Sequence, residues 1–306
     1  MDRLIRKIRP YLLAWLHRSR SGPVSFVRRF SYKDIKRATD GFHRILYSDS
    51  NGTAYKAKFQ DGDVVLVKEL KDLNQGNDVF YKQVQFLGRL HHRHLLALKG
   101  FSTGPKRLLV FDNIENGSLK EHLNDPLKTP LNWNTRLQIA NGVAAALFVY
   151  FILQEYLLLF SNPPIYQVSI SSSNIMLDEN FTAKLSSVGP LSSVGNYVTM
   201  PRASCAEDCM NQSCRNIIFQ LGVLILELIT GQSSEKGSTD LIQWIQGSRF
   251  RNSMEKMIDP DLGNSYDSRE LKNLLAVARL CIKSGDNPKF SIPRIFLYLQ
   301  KKVDIP

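Results

Sequence analysis

Thr53-Ala54-Tyr55-Lys56-Ala57-Lys58-Phe59, Gln60-Asp61-Gly62-Asp63 and Val64-Val65-Leu66-Val67-Lys68-Glu69-Leu70 follow one another without a break. The two outer runs are rich in β-branched and aromatic residues, which predicts two strands. Asp61-Gly62 between them is a hairpin signal, because glycine accepts the positive φ that a tight reversal needs. Working outward, Asp78–Leu90 carries Val79, Val84, Leu87 and Leu90 at helical spacing. Leu95–Phe101 and Arg107–Asn113 predict two more strands. Beyond Gly117 the pattern turns helical, over Ser118–Leu123, Asn134–Phe160, Asn216–Ile229, Leu241–Trp244, Ser268–Ile282 and Ile292–Lys301. Upstream, Phe30–Phe42 predicts a short helix capped by Ser31 and ending near Gly41. The expected architecture is α+β, a small β-rich lobe followed by a larger helical lobe, with no internal repeat and no low-complexity segment.

Composition bounds the rest. The chain has 306 residues, 43% of them hydrophobic, enough for a sizeable core and against wholesale disorder. Four cysteines (Cys205, Cys209, Cys214 and Cys281) are too few for a disulfide framework at this length. No apolar leader with a small-residue cleavage site opens the sequence, so the expectation is a chain that is not secreted. The sequons at Asn51 and Asn116 then carry no weight.

The net charge of +12 is uneven: residues 1–29 hold eight Arg or Lys against the single acid Asp2. Within that tail, Tyr11–Leu16 is an apolar run of six residues, too short to span a bilayer and interrupted upstream by Pro10. Basic residues beside Trp15 and leucines suit an anionic membrane surface; the plainer reading is a disordered basic tail. Asp2 occupies the position where myristoylation requires glycine. A second apolar run, Val143–Phe160, is broken by Gln154-Glu155 and predicts a buried globular helix rather than a membrane span.

Five segments in register carry a family resemblance. They are Arg29–Phe42 (RFSYKDIKRATDGF), Leu90–Phe101 (LHHRHLLALKGF), Asn116–Leu123 (NGSLKEHL), Leu131–Ala140 (LNWNTRLQIA) and Leu226–Gly231 (LELITG). In this order they resemble the plant receptor-like kinase family of protein kinases, from about residue 29 to the C-terminus. The resemblance implies a two-lobed protein-kinase fold. It divides the chain into a basic tail, 1–29, and a kinase-like domain, 30–306, with a lead-in helix at 30–43, an N-lobe at 44–111 and a C-lobe at 112–306.

The resemblance also assigns site positions, and many have changed. Of the family's G-x-G-x-x-G loop, whose amides face phosphates, only the third glycine is present, as Gly52; Tyr47 and Asp49 stand at the first two. A carboxylate at the second position would repel phosphate. An ordinary β-turn is the plainer reading of Gly52. Lys68 aligns with the lysine that pairs with nucleotide phosphates, and its usual glutamate partner aligns with Gln83, which offers a hydrogen bond but no ion pair. Leu66 replaces the small alanine of the adenine slot, and Phe111, Asp112, Asn113 and Ile114 align with gatekeeper and hinge.

The catalytic-loop pattern H-R-D-x-K-x-x-N reads Gln167-Val168-Ser169-Ile170-Ser171-Ser172-Ser173-Asn174. Ser169 stands where the base should be, and loss of a positioned base typically costs about 10²–10⁴ in rate. Ser171 replaces the lysine that steadies the transferring phosphoryl group, and Val168 removes the arginine that would receive a phosphorylated activation segment. Ser187-Val188-Gly189 replaces D-F-G, leaving Asn174 alone to hold magnesium. The family's anchoring helix aspartate aligns with Ile217. The A-P-E glutamate aligns near Cys205 and its arginine partner with Lys289.

Two segments stand apart. The family pattern runs Ala-Leu directly into Glu-Tyr-Leu, whereas here Phe148–Gln154 intervene between Leu147 and Glu155. Two turns take about 7 residues, so the helical phase survives and the helix lengthens by roughly 10 Å. An unspliced short intron is one origin of such a segment, and reads of the transcript test it. Cys205, Cys209 and Cys214 lack tetrahedral zinc spacing and a nearby histidine, so no metal site is expected; His91, His92 and His94 read as structural. Ser192, Ser193 and Thr199 lie in the shortened activation segment, where phosphorylation in trans is open to any exposed hydroxyl.

The reading is a catalytically inactive kinase-like domain without ectodomain or membrane span, with no catalytic residue expected to act. Lys68, Gly52, Ile114 and Asn174 are the remnant nucleotide site, with no cofactor expected and any residual ATP binding lacking firm magnesium support. The partner implied is an active receptor-like kinase, in the cytoplasm or at the inner face of the plasma membrane, and no nucleic acid. The alternatives are a weakly active ATP-dependent Ser/Thr protein kinase using Lys68 and Asn174, and a decayed or mis-spliced copy without function.

Overall fold

Strict alternation along Val64–Leu70 is what lets one strand face two cores. The structure, a computed structural model, describes residues 27–49, 52–70, 77–88, 90–157, 166–186, 188–190, 203–232, 242–243, 245, 257–263, 265–283 and 291–302. The N-lobe is a six-stranded sheet in the order β1-β5-β6-β4-β3-β2. Its strands are β1 (Arg28–Arg29), β2 (Ile45–Asp49), β3 (Gly52–Lys58), β4 (Val64–Leu70), β5 (Leu98–Thr103) and β6 (Arg107–Phe111).

On one face, Val65, Val67, Tyr55, Leu108 and Val110 pack with Ile35 and Ala38 of the lead-in helix α1 (Tyr32–Ala38). On the other, Leu66, Ala54, Leu109 and Phe111 join the main core with Phe80, Val84 and Leu87 of α2 (Asn77–Leu87). Side chains on a strand alternate in direction, so Leu66 and Lys68 share the second face, toward the helical lobe. Ser31 stands at the N-cap of α1, but its side chain makes no capping hydrogen bond.

Three expectations shift. Arg28 and Arg29, counted with the tail, form β1 and pair in parallel with Gly100 and Phe101 of β5, extending the sheet edge. Ile45–Asp49, not expected as a strand, pairs antiparallel with β3. The helix expected from Asn216 starts thirteen residues earlier, at Ala203, so Cys205, Cys209 and Cys214 all lie along it.

The helical lobe is built on α3 (Leu119–Asn124), α4 (Trp133–Leu157), α5 (Ala203–Thr230), α6 (Ser268–Lys283) and α7 (Ile292–Lys302). Ser118 and Glu121 close a full capping box at the start of α3, two backbone donors satisfied reciprocally. α4 is one helix of 25 residues that runs straight through Phe148–Gln154. It is long and apolar enough to cross a membrane, yet Ala144, Ala146, Leu147, Phe148, Tyr150 and Ile152 are buried against the lobe. Phe148 stacks on Phe296 of α7, ring centroids 5.0 Å apart. Phe148, Tyr150 and Ile152 of this stretch thus serve packing.

Four short strands lie below the sheet. β7 (Tyr166–Val168) pairs with β10 (Val188–Pro190), and β8 (Ile175–Leu177) with β9 (Ala183–Leu185). The loop between β7 and β8 carries Ser169–Asn174, and the β9–β10 segment carries Ser186, so the two degenerate motifs meet.

Candidate functional site

Lys68 is 4% exposed, held by antiparallel neighbours Ala54 and Leu109 at its place on β4. Its ammonium lies 5.9 Å from the centre of the Tyr47 ring, within range of a cation–π contact. Gln83 on α2 is buried too. The lysine is thus buried on β4 with an aromatic ring beside its ammonium.

The other end of Tyr47 reaches the segment after β9. Its hydroxyl is 3.3 Å from the Ser186 hydroxyl oxygen. Ser186 Oγ in turn donates to the Asn174 carbonyl at 2.9 Å. A serine has one hydroxyl proton. With that proton given to Asn174, the Tyr47 hydroxyl is the donor to Ser186. One side chain on β2 thus spans from the N-lobe lysine to the segment preceding Ser187. Asn174 is held within this loop: its Oδ1 accepts from the Ser171 amide at 2.9 Å, and its carbonyl also accepts from the Ser186 amide at 3.1 Å.

The residues aligned with the family's adenine slot and hinge include buried apolar side chains. Leu66 and Phe111 sit directly opposite in the β4–β6 register, both buried in the main core. Ile114 is buried in the same cluster. Beside it the hinge is tied externally: Asp112 pairs with Lys99 at 3.1 Å, and its amide donates to the Ala97 carbonyl at 3.1 Å.

Gly52 opens β3 opposite Asp49 and Leu70. A Cβ there would collide with the Glu69 carbonyl oxygen, so sheet packing alone requires glycine at this position. The Gly52 requirement is thus met without a phosphate.

Ser169 lies on the loop after β7, half-buried, between Val168 and Ile170, which are buried in the core. Its hydroxyl cannot serve as a general base near neutral pH. The loop is nonetheless anchored. Ile217, at the family's aspartate position, is buried apolar core. Gln220, almost one turn further along α5, takes over: its Oε1 accepts from the Ile170 amide at 2.9 Å. Residues three apart on a helix share a face, which was the signal available in the sequence. Glu227, two turns on, lies 3.4 Å from the Ser172 hydroxyl. Ser187, Lys289, Ser192, Ser193 and Thr199 lie outside the described residues, as do the tail positions 1–26 and the side chains of Gln167, Val188, Cys205 and Cys209.

In the link before β5, His92 and His94 make structural hydrogen bonds, whereas His91 is exposed. His94 Nδ1 lies 3.0 Å from the Ala183 carbonyl, so that nitrogen carries the proton. Burial pushes its pKa down to about 4, outweighing the opposing effect of that hydrogen bond. Cys281 is buried between α5 and α6, and burial pushes its thiol up to about 12. Among the described residues, no group of three His, Cys, Asp or Glu side chains comes together to hold a metal ion.

This geometry has close relatives. The protein tyrosine and serine/threonine kinase family model matches residues 42–258. The chain belongs to the protein kinase family, in its plant receptor-like branch. It is 34% identical over 303 residues to a probable receptor-like protein kinase of Arabidopsis thaliana, At1g49730, covering 92% of this chain and 44% of that protein. It is 32% identical to the probable serine/threonine-protein kinase PBL21 of the same plant, covering 85% of this chain and 72% of the relative. Among solved structures it is similar to the pseudokinase domain of BIR2, described as an immune regulator of the RLK/Pelle family. That likeness has a TM-score of 0.70 and 26% identity, over 90% of this chain and 85% of that one. The chain spans less than half the length of the first of these relatives.

Proposed function

We propose that this chain is a catalytically inactive kinase-like domain that acts as a binding or regulatory partner in receptor-like kinase signalling. The observation that carries the reading is Tyr47, whose ring covers Lys68 and whose hydroxyl reaches Ser186 across the cleft. On this reading the cleft holds no magnesium nucleotide. Leu66 and Phe111 fill the base slot, and Asn174 is the one family magnesium ligand left beside Ser187. Ser169 and Ser187 remove the base and a metal carboxylate separately, so the losses compound.

The partner on this reading is an active receptor-like kinase, met in the cytoplasm or at the inner face of the plasma membrane. The basic tail supplies attraction to anionic lipid there. The pseudokinase likeness supports a regulatory role, since the protein it resembles is described as an immune regulator.

A second reading, weak Ser/Thr phosphotransfer, is favoured by the curated relatives, which are named as kinases at 32–34% identity. Labelled ATP with magnesium or manganese, given to the purified chain and to its Lys68→Met variant, separates the two. Equal background label on both is the expected result. Metal-dependent label that vanishes with Lys68→Met would sink the inactive reading. A cooperative melt of the same preparation would count against a decayed, non-functional copy.

A further inference from the structure

The stretch from Arg28 to Leu46 lies over the face of the N-lobe sheet that turns away from the cleft. It carries Arg28, Arg29, Lys33, Lys36, Arg37 and Arg44 against two acids, Asp34 and Asp40, and each of these side chains is exposed. Ile35 and Ala38 bury one side of α1 against the sheet. Lys33, Lys36 and Arg37, three and four residues apart, share its outer side. Each acid is within reach of an arginine: Asp34 meets Arg37 at 4.0 Å, and Asp40 meets Arg44 at 3.9 Å. The second pair sets Arg44 beside the end of α1. At the start of the stretch, the Arg28 guanidinium lies 5.0 Å from the centre of the Phe30 ring, which packs against the same cluster under α1.

Two exposed apolar side chains adjoin this charge. Among the described residues four large apolar side chains are exposed, and two of them, Ile45 at 59% and Leu46 at 43%, are neighbours here. Ile45 stands directly opposite Tyr55, and side chains directly opposite in a ladder share a face. Tyr55 is buried under α1, so Ile45 is on the charged face. The register then shifts between Ile45 and Tyr47. Leu46 is thus the extra residue of a β-bulge, and Tyr47 opposite Ala54 belongs to the cleft face. A bulge on the edge strand β2 blunts pairing with an added strand, which argues against sheet extension as the use of this edge.

We propose that this face of the N-lobe docks on an anionic membrane surface, with the cations over the headgroups and Ile45 and Leu46 entering the interface. The inference rests on the reading above that the chain works at the inner face of the plasma membrane, and it assigns the contact to the folded domain as well as to the tail. An anionic leaflet attracts cations that come within a Debye length, about 8 Å at physiological salt. The exposed aliphatic pair favours a bilayer over a soluble acidic partner, because the interface takes apolar side chains while headgroups meet the basic ones. The basic tail joins the fold at Arg28, on this same face, so the two attractions add. Docked this way, the cleft side of the sheet faces away from the lipid and stays open to a protein partner.

The test is sedimentation of the full chain with vesicles of phosphatidylcholine, alone or mixed with phosphatidylserine. Binding to the mixed vesicles only, weakening steeply with added salt, is expected. A cation at an anionic surface is worth about fivefold in affinity, so Lys33→Gln, Lys36→Gln and Arg37→Gln together should weaken binding by roughly 100-fold. The melting temperature should not move, since all three side chains are exposed. Ile45→Ser with Leu46→Ser should weaken binding severalfold and leave its salt dependence unchanged; this second variant decides the matter if the first does not fold. Three results would overturn the proposal: no binding to phosphatidylserine vesicles, a triple variant that binds like the parent (which would leave the attraction to the tail alone), or an Ile45→Ser, Leu46→Ser variant that binds like the parent (which would point to a soluble acidic partner). None of these readouts involves phosphotransfer, so the labelled-ATP test of the inactive reading stands or falls separately.

Discussion

The Tyr47 hydroxyl donates to Ser186 Oγ across 3.3 Å, joining residues 139 positions apart in the chain and on opposite sides of the cleft. A glycine loop closes over a nucleotide only if its first residue leaves room beneath it. Tyr47 instead places a ring over Lys68. In the unaltered protein, ATP with magnesium or manganese should therefore leave the thermal melt unmoved. Tyr47→Gly with Leu66→Ala should create the missing space. A nucleotide at about 100 times its dissociation constant would then add about 2.7 kcal/mol. Leu66→Ala itself should cost about 2–5 kcal/mol because the residue is fully buried, so each variant is compared with its own ligand-free melt. An equal shift in the unaltered protein would show that Tyr47 swings aside.

Gln220 gives a second prediction. Its side-chain oxygen holds the Ile170 amide at 2.9 Å, and Ile170 is buried. Gln220→Ala strands a buried donor, which costs about 1–3 kcal/mol. Gln220→Glu keeps an acceptor at the same place and should recover most of the loss. Hydrogen exchange read at the Ile170 amide is the direct check: faster exchange in Gln220→Ala is expected, and unchanged protection would remove Gln220 from the anchoring role.

What could be read in advance divides along physical lines. β4 was legible because Val64–Val67 is a continuous β-branched and apolar run beside an Asp-Gly turn, as a strand buried on both faces requires. β2 was not, because its apolar residues face solvent: Ile45 is 59% exposed and Leu46 43%, which erases the alternation. Arg28–Arg29 has no strand signal of its own and is a strand only because β5 offers an open edge. At the site, Ser169 and Ser187 could be read from position, since each replaces one residue in a contiguous motif. The Tyr47–Ser186 bridge could not, because it depends on how two lobes meet. Gln220 was within reach, three residues from the lost aspartate position on the same helix face.

Arg136 supplies a stability prediction. It is 2% exposed on α4, donates from Nε to the Leu131 carbonyl at 2.8 Å and from Nη1 to the Leu228 carbonyl at 2.9 Å, and meets Asp259 at 2.6 Å. One side chain thus ties the starts of two segments to the end of α5. Removing one partner of a buried ion pair leaves an uncompensated charge, at a cost of about 3–5 kcal/mol. Arg136→Ala should show that loss in chemical denaturation. Arg136→Met with Asp259→Leu should be less damaging than Arg136→Ala alone, since no charge is then left buried. A single variant that melts like the parent would contradict the buried pair.

His94 makes the pH dependence specific. Burial holds its imidazole neutral, with the pKa at about 4 against an ordinary value of 6.5. The unfolded chain therefore binds a proton that the folded chain refuses between those two values. Stability rises with pH wherever the unfolded state holds more protons. The contribution of His94 is complete above about pH 6.5 and is lost as pH falls toward 4. His92 moves in the same direction, first through burial and then through Arg93 and Lys184 nearby, so it adds to the slope. His94→Phe keeps a ring against Gly142 and removes the titration. Urea denaturation at several pH values should give a flatter stability profile for His94→Phe than for the parent between pH 4 and 6.5. A parallel profile would mean that His94 is not buried as a neutral ring.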